Sequence, residues 1–151
     1  MSGKQYVIFE LEKEKYGVGV MYIQEISEYI KCTEVPNSPG FIEGIINYRG
    51  NIVPVINLHN KFNFKPIVIT ENTRIVISEL DGKQIGLLVD SASQVLTIND
   101  NDIEEPPDII MGSGQKIVGG IGKTQDGIII ILDPENILSE EEKRELEQIR
   151  D

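Results

Sequence analysis

Arg49 is the side chain whose placement most asks for chemistry. It sits in Asn47-Tyr48-Arg49-Gly50-Asn51, in a chain with 14 Lys and Arg against 25 Asp and Glu and a net charge of -11. A guanidinium at a tight turn offers several N–H donors in a fixed fork, suited to a carboxylate or to backbone carbonyls. The other reactive residue types offer less. The one histidine, His59, lies in the polar run Leu58-His59-Asn60-Lys61, and the one cysteine, Cys32, has no partner for an internal disulfide. A zinc site needs more Cys and His than these two supply, so Cys32 is expected to be a small, partly buried strand residue. Asp100, Asp102, Glu104 and Glu105 lack the glycine and the twelve-residue spacing of a calcium loop and read as a solvated acidic loop. Gly17-Val18-Gly19, Gly112-Ser113-Gly114 and Gly119-Gly120-Ile121-Gly122 do not open helices with phosphate-loop spacing, and read as bulges or flexible loops. With no convergent acid-base pair and no metal cluster, the chain reads as a binding module without a cofactor, not as an enzyme.

Bulk properties narrow the partners. The chain of 151 residues suits one substantial domain, or two small ones sharing a core. Its negative charge repels polyphosphate and anionic lipid, and 6% aromatics with no Trp suit single-stranded nucleic acid poorly. No run approaches the roughly 20 apolar residues of a membrane span, and residues 1–15 lack a signal-peptide core, so a cytoplasmic protein without membrane insertion is expected.

Arg49 needs a scaffold, and the flanking runs provide one. Gly44-Ile45-Ile46-Asn47 and Ile52-Val53-Pro54-Val55-Ile56 surround the reversal, which reads as a β-hairpin with Arg49 at its tip. Pro54 cannot donate to a ladder, so the second strand is expected to be an edge strand or bulged there, with backbone available to a partner. Strands are expected over 6–11 and 16–20, then one or two helical turns carrying Val20, Ile23 and Ile26, then a strand over 29–35. Past the hairpin, 58–64 reads as a short helical turn and 65–69 as extended. A hairpin is expected over 74–89 around Asp81-Gly82, a strand over 94–98, and a third strand-turn-strand unit over 116–132. Ser139-Glu140-Glu141-Glu142 is a capping box opening a helix over 140–150, with Leu146 and Ile149 on its apolar side.

The chain also repeats. At an offset of 69, Val7-Ile8 lies over Val76-Ile77 and Gly17-Val18-Gly19-Val20 over Gly86-Leu87-Leu88-Val89. At an offset of 76, Gly44-Ile45 lies over Gly120-Ile121, Ile52-Val53 over Ile128-Ile129 and Asn57 over Asp133. A duplicated unit of about five short strands predicts a mainly β protein built of two small barrels sharing an apolar seam. The copies differ at the tip: Tyr48-Arg49-Gly50-Asn51 becomes Thr124-Gln125-Asp126-Gly127, and Pro54 becomes Ile130. That asymmetry points to Arg49 as a specialised feature.

The stretch from Gly44 to Leu58 resembles the central signature of the CheW coupling family of bacterial chemotaxis. Tyr16-Gly17-Val18 with Ile23-Gln24-Glu25-Ile26, Pro36 through Ile42, and Gly86-Leu87-Leu88-Val89-Asp90 with Val95-Leu96 are similar to it in order and spacing. The resemblance spans about residues 6–138. The same module occurs in the histidine kinase CheA and in CheV, but this chain has room for neither a kinase nor a receiver domain. One departure is Tyr48, where the family usually has an aliphatic residue.

The resemblance implies two intertwined five-stranded β-barrels, OB/SH3-like and with strands exchanged, in a single CheW-like domain. The first barrel would lie mainly over 15–70, the second mainly over 71–138, and a C-terminal helix over 139–151. It also implies a non-catalytic adaptor joining the chemoreceptor cytoplasmic tip to the regulatory domain of CheA, and recruited to receptor arrays. Ile23, Glu25, Asn47, Arg49, Gly50, Val89 and Asp90 are the residues expected to line or support the receptor site. Arg49 could contact the receptor directly or pair with Glu25 to hold the surface that does. Two alternatives stand beside this: an OB-type oligonucleotide or oligosaccharide binder, and a coupler of the same family serving a non-flagellar chemosensory pathway.

Overall fold

The computed structural model describes residues 3–107 and 117–150; Gly112-Ser113-Gly114 and the expected strand start at Lys116 lie outside them. In chain order the elements are β1 (Gly3–Leu11), β2 (Glu14–Gly19), a 3-10 turn (Val20–Tyr22), β3 (Ile23–Glu28), β4 (Ile42–Tyr48), β5 (Asn51–Asn57) and α1 (Leu58–Lys61). There follow β6 (Arg74–Leu80), β7 (Lys83–Val89), β8 (Ser91–Asn99), a 3-10 turn (Asp100–Asp102) and β9 (Ile103–Glu104). The chain closes with β10 (Val118–Thr124), β11 (Gly127–Leu132), a 3-10 turn (Pro134–Asn136) and α2 (Glu140–Arg150).

The fold is mainly β, in two sheets with strand orders β8-β1-β2-β11-β10-β9 and β3-β6-β7-β5-β4. Shifted by the offsets read from sequence, β1, β2 and β3 become β6, β7 and β8, and β4 and β5 become β10 and β11. The two sheet orders then coincide strand for strand, with β9 as an addition. Each sheet combines the first hairpin of one copy with the last three strands of the other. Register follows the same symmetry: Val55 opposes Gly86 in the parallel pair of one sheet, and Ile131 opposes Gly17 in the other. Even irregularities repeat. The β4/β5 register shifts between Ile42 and Gly44 and the β10/β11 register between Val118 and Gly120. Asn57 N donates to Phe41 O at 2.7 Å, and Asp133 N to Ile117 O at 2.8 Å.

Three apolar clusters hold the sheets. Ile46, Tyr48, Val53, Val55, Ile75, Ile77 and Leu88 pack together in the second sheet, and Tyr6, Ile8, Ile98, Ile129 and Ile131 in the first. The largest draws on both, with Phe9, Leu11 and Val18 against Val76, Leu87 and Val89, and it also takes in Leu138 and Leu146. Neighbours on one strand, such as Val76 and Ile77, thus serve different clusters, as alternation across a strand requires. Leu146 anchors α2 to this shared seam. At the start of α2, Glu142 N donates to Ser139 Oγ at 3.1 Å and Ser139 N to Glu142 Oε1 at 2.8 Å, the reciprocal capping box.

Several expectations fail for identifiable reasons. Only Val20–Tyr22 is helical; Ile23–Glu28 is a strand paired with β6. The register against β6 jumps from Ile23 to Glu25, so one extra residue, Gln24, turns a period of two into the step of three that resembled a helix. Residues 29–35 form no strand but a single bridge, Thr33 with Ile45. Residues 65–69 also form no strand. β5 is an interior strand, not an edge. Its register with β7 begins only at Val55, however, so Pro54 faces β4 on one side and no registered β7 residue on the other.

Candidate functional site

The reversal between β4 and β5 uses two residues, Arg49 and Gly50, at φ 51° and 86°. Positive φ at both positions matches a type I′ hairpin loop, whose twist suits the flanking strands. Gly50 takes such an angle freely, whereas Arg49 does so against its Cβ. Asn47 secures the turn, its Oδ1 accepting from Gly50 N at 3.0 Å. The loop therefore fixes the backbone from which the guanidinium projects.

That guanidinium reaches across the sheet. β3 and β4 are the two outermost strands of the five-stranded sheet, yet Arg49 Nη2 donates to Glu25 Oε1 on β3 at 2.7 Å. The hydroxyl of Tyr48 donates to the same oxygen, and the Arg49 guanidinium carbon stands 5.3 Å from the centre of the Tyr48 ring. Just beyond β3, Thr33 and Ile45 exchange two backbone hydrogen bonds of 2.9 Å. These contacts draw the sheet's two margins together. The hydrogen bond to the Glu25 carboxylate raises the Tyr48 hydroxyl above its ordinary value; loss of hydration adds to this and the Arg49 charge opposes it. Arg49 is 73% exposed and Glu25 37%, so their ion pair contributes only about 0–1 kcal/mol to stability. The buried Tyr48 ring, packed with Val53 and Ile75, does more of the joining.

A row of amides lies beside the tip. Asn51 Nδ2 donates to Gln84 Oε1 at 3.2 Å, Gln84 Nε2 to Gln24 Oε1 at 2.7 Å, and Gln24 Nε2 to Glu79 Oε2 at 3.3 Å. Side chains from β5, β7, β3 and β6 are thereby linked on one outer face. The extra residue at Gln24 thus has a contact of its own.

Of the residues expected to act together, Glu25, Asn47, Arg49 and Gly50 meet at this tip. Ile23 begins β3 and is partly buried against the shared core. Val89 is fully buried in that core, so its side chain supports a surface without facing solvent. Asp90 belongs to a second constellation, beyond the far end of β7. Its N–H donates to Glu10 O at 3.0 Å, and its Oδ2 accepts from Glu12 N at 2.9 Å. His59 Nε2 lies 3.0 Å from both Asp90 oxygens, while Nδ1 lies 2.8 Å from Lys65 O. His59 is 3% exposed despite its polar sequence neighbours. Asp90 thereby ties the first hairpin of one copy to the helix that follows β5.

Sequence reasoning missed the Tyr48 hydroxyl and the burial of His59. Neither had a local signal: the Tyr48 bond exists only once the margins of the sheet meet, and α1 is too short to show periodicity. Cys32 is partly buried, and burial pushes its thiol up to about 12, with Glu43 adding to the shift, so it remains a protonated thiol at neutral pH. Among the described residues there is no cluster of three or more His, Cys, Asp or Glu able to hold a metal, and no helix long and apolar enough to cross a membrane.

Comparison with known proteins agrees with this fold. The family model described as CheW-like domain matches residues 5–142. The chain is 34% identical over 140 residues to the chemotaxis protein CheW of Klebsiella aerogenes, covering 93% of this chain and 84% of that one. It is 29% identical to CheW of Treponema pallidum, over 94% of this chain and 86% of that one. Among solved structures it is similar to the scaffolding protein TtCheW from Thermoanaerobacter tengcongensis, with a TM-score of 0.78, 38% identity, and coverage of 87% of this chain and 90% of that one. The family match over nearly the whole length, with these relatives and this solved structure, establishes that the chain belongs to the CheW-like family, the coupling adaptors of chemotaxis.

Proposed function

We propose that this chain couples the cytoplasmic tip of chemoreceptors to the regulatory domain of the kinase CheA, without catalysis of its own, and works in the cytoplasm at membrane-associated receptor arrays. The observation that carries this reading is the family match over residues 5–142, with the signature hairpin intact around Arg49. A receptor tip is a helical hairpin, and it would meet the surface around Glu25, Asn47, Arg49 and Gly50, with Ile23 close by on β3, whereas Val89 and Asp90 stand at the other end of β7 and would act on a partner only from there. Arg49 is well placed for both roles considered for it, since it pairs with Glu25 and still exposes most of its guanidinium.

The kinase would need a second surface, because one adaptor must hold both partners at once. Ile52 and Ile128, equivalent in the two copies, are 54% and 64% exposed, and one lies on each sheet. Exposed aliphatics beside hairpin tips suit a pseudo-symmetric contact with a homologous kinase domain. Signal would then pass through shifts in the contacts the adaptor makes. Co-sedimentation of the purified chain with receptor fragments and with CheA, separately and together, tests the reading. Binding to each and a ternary complex are expected; failure to bind either partner overturns it.

A further inference from the structure

We propose that Glu25, Tyr48 and Arg49 form a donor and acceptor clamp for an uncharged amide of the partner, a Gln or Asn side chain or an exposed peptide group, and not a seat for a carboxylate. The inference rests on the coupling reading above and gives its receptor-facing tip a chemical preference.

Charge is the first ground. The Arg49 cation is compensated by a carboxylate at 2.7 Å, in a chain of net charge -11. An arriving carboxylate would meet Glu25 beside the guanidinium, and like charges in contact oppose binding.

Hydrogen-bonding capacity is the second. Oε1 of Glu25 accepts from both Tyr48 and Arg49, while among the described residues nothing donates to Oε2. Arg49 commits only Nη2, and its other N–H groups belong to a side chain that is 73% exposed. Free donors therefore stand next to a free acceptor. An amide presents one carbonyl and at least one N–H and can answer both, whereas an ionised carboxylate has no donor for Oε2.

Orientation is the third. The Tyr48 hydroxyl fixes Oε1 and its ring lies 5.3 Å from the guanidinium, so carboxylate and cation are held in one arrangement before a partner arrives. Tyr48 is thus a positioning residue. The Asn51, Gln84 and Gln24 amides brace the same hairpin from the neighbouring face.

The test uses the full chain and, as probe, a helical-hairpin fragment of a chemoreceptor cytoplasmic tip. Affinity is measured by calorimetry for the natural chain, Glu25→Gln, Tyr48→Phe and Arg49→Ala, with the melting temperature of each. The clamp expects Glu25→Gln to bind about three- to tenfold more weakly, although it makes the protein less acidic. Tyr48→Phe should weaken binding by about threefold and, in the free protein, narrow the Arg49 Nε NMR signal as the guanidinium gains freedom. Tighter or unchanged binding by Glu25→Gln overturns the clamp. So does an Arg49 signal insensitive to Tyr48→Phe. Fragment binding that survives Arg49→Ala unchanged keeps the coupling reading and removes the clamp; a natural chain that does not bind the fragment overturns both.

Discussion

Glu25, on one outermost strand of a sheet, and Arg49, in the turn that follows the other, are 24 positions apart in sequence and 2.7 Å apart in space. The pair spans the sheet and yet stays largely exposed. Its worth to folding and its worth to binding can therefore be separated experimentally.

Arg49→Ala should lower stability by no more than about 1 kcal/mol, because an exposed ion pair contributes little. Receptor-fragment binding should nonetheless fall by about tenfold or more, as loss of a charge-assisted contact does. Thermal melting and a pull-down on the same preparation check both halves. A large drop in melting temperature with binding retained would make Arg49 a structural residue only.

Gly44 should tolerate no side chain. It sits at φ 152°, and a Cβ there would lie 2.4 Å from Thr33 O, the carbonyl bonded to Ile45 N. Gly44→Ala should cost more than about 2 kcal/mol, since both the backbone angle and the Thr33 bridge oppose it. Gly50→Ala has open space around it and should cost less. Urea unfolding of the two variants gives the comparison.

Asp90→Ala removes the partner of His59 Nε2 and of Glu12 N together. With His59 buried, the loss should be about 2–3 kcal/mol by denaturant unfolding. An exposed carboxylate replaced nearby, as in Glu10→Ala, should cost within about 0.5 kcal/mol. Equal effects from the two would deny Asp90 its joining role.

Attachment of α2 should weaken in acid. Burial works against ionised Glu142, but hydrogen bonds from Lys61 Nζ and from Ser139 outweigh it and hold its carboxyl below the ordinary 4.5. A depressed carboxyl pKa contributes stability that is fully present above about 4.5 and is lost as pH falls through the lower folded value. Protection factors of α2 amides, the exchange rates corrected for the intrinsic pH dependence, should fall below that pH in the natural chain. Glu142→Gln should show the lower protection already at neutral pH and much less further change in acid.

Much of this architecture is legible in sequence because backbone constraints repeat there. Gly17 and Gly86 sit at matching points of the two parallel pairs, Gly44 and Gly120 follow matching register shifts, and Asn57 and Asp133 both cap short helical turns. Residues 23–28 are misread because the register jump around Gln24 breaks the alternation on which strand recognition depends. Arg49 is visible as an anomaly, a cation at the tip of one copy and missing from the other. The Tyr48 bond to Glu25 is not, because it exists only once the margins of the sheet meet, and no local pattern encodes that. His59 and Asp90 stay hidden for the same reason, being 31 positions apart and joined by packing.

The exchange of hairpins between copies carries a further consequence. A single copy, β1 to β5, would hold two hairpins, β1-β2 and β4-β5, and an unpaired β3, with the strands that complete their sheets elsewhere in the chain. The arrangement is that of a domain-swapped homodimer whose two protomers have been fused end to end through the segment between α1 and β6. Joining them in one polypeptide frees the two tips to diverge, so that one can carry Arg49 while the other keeps a plain turn.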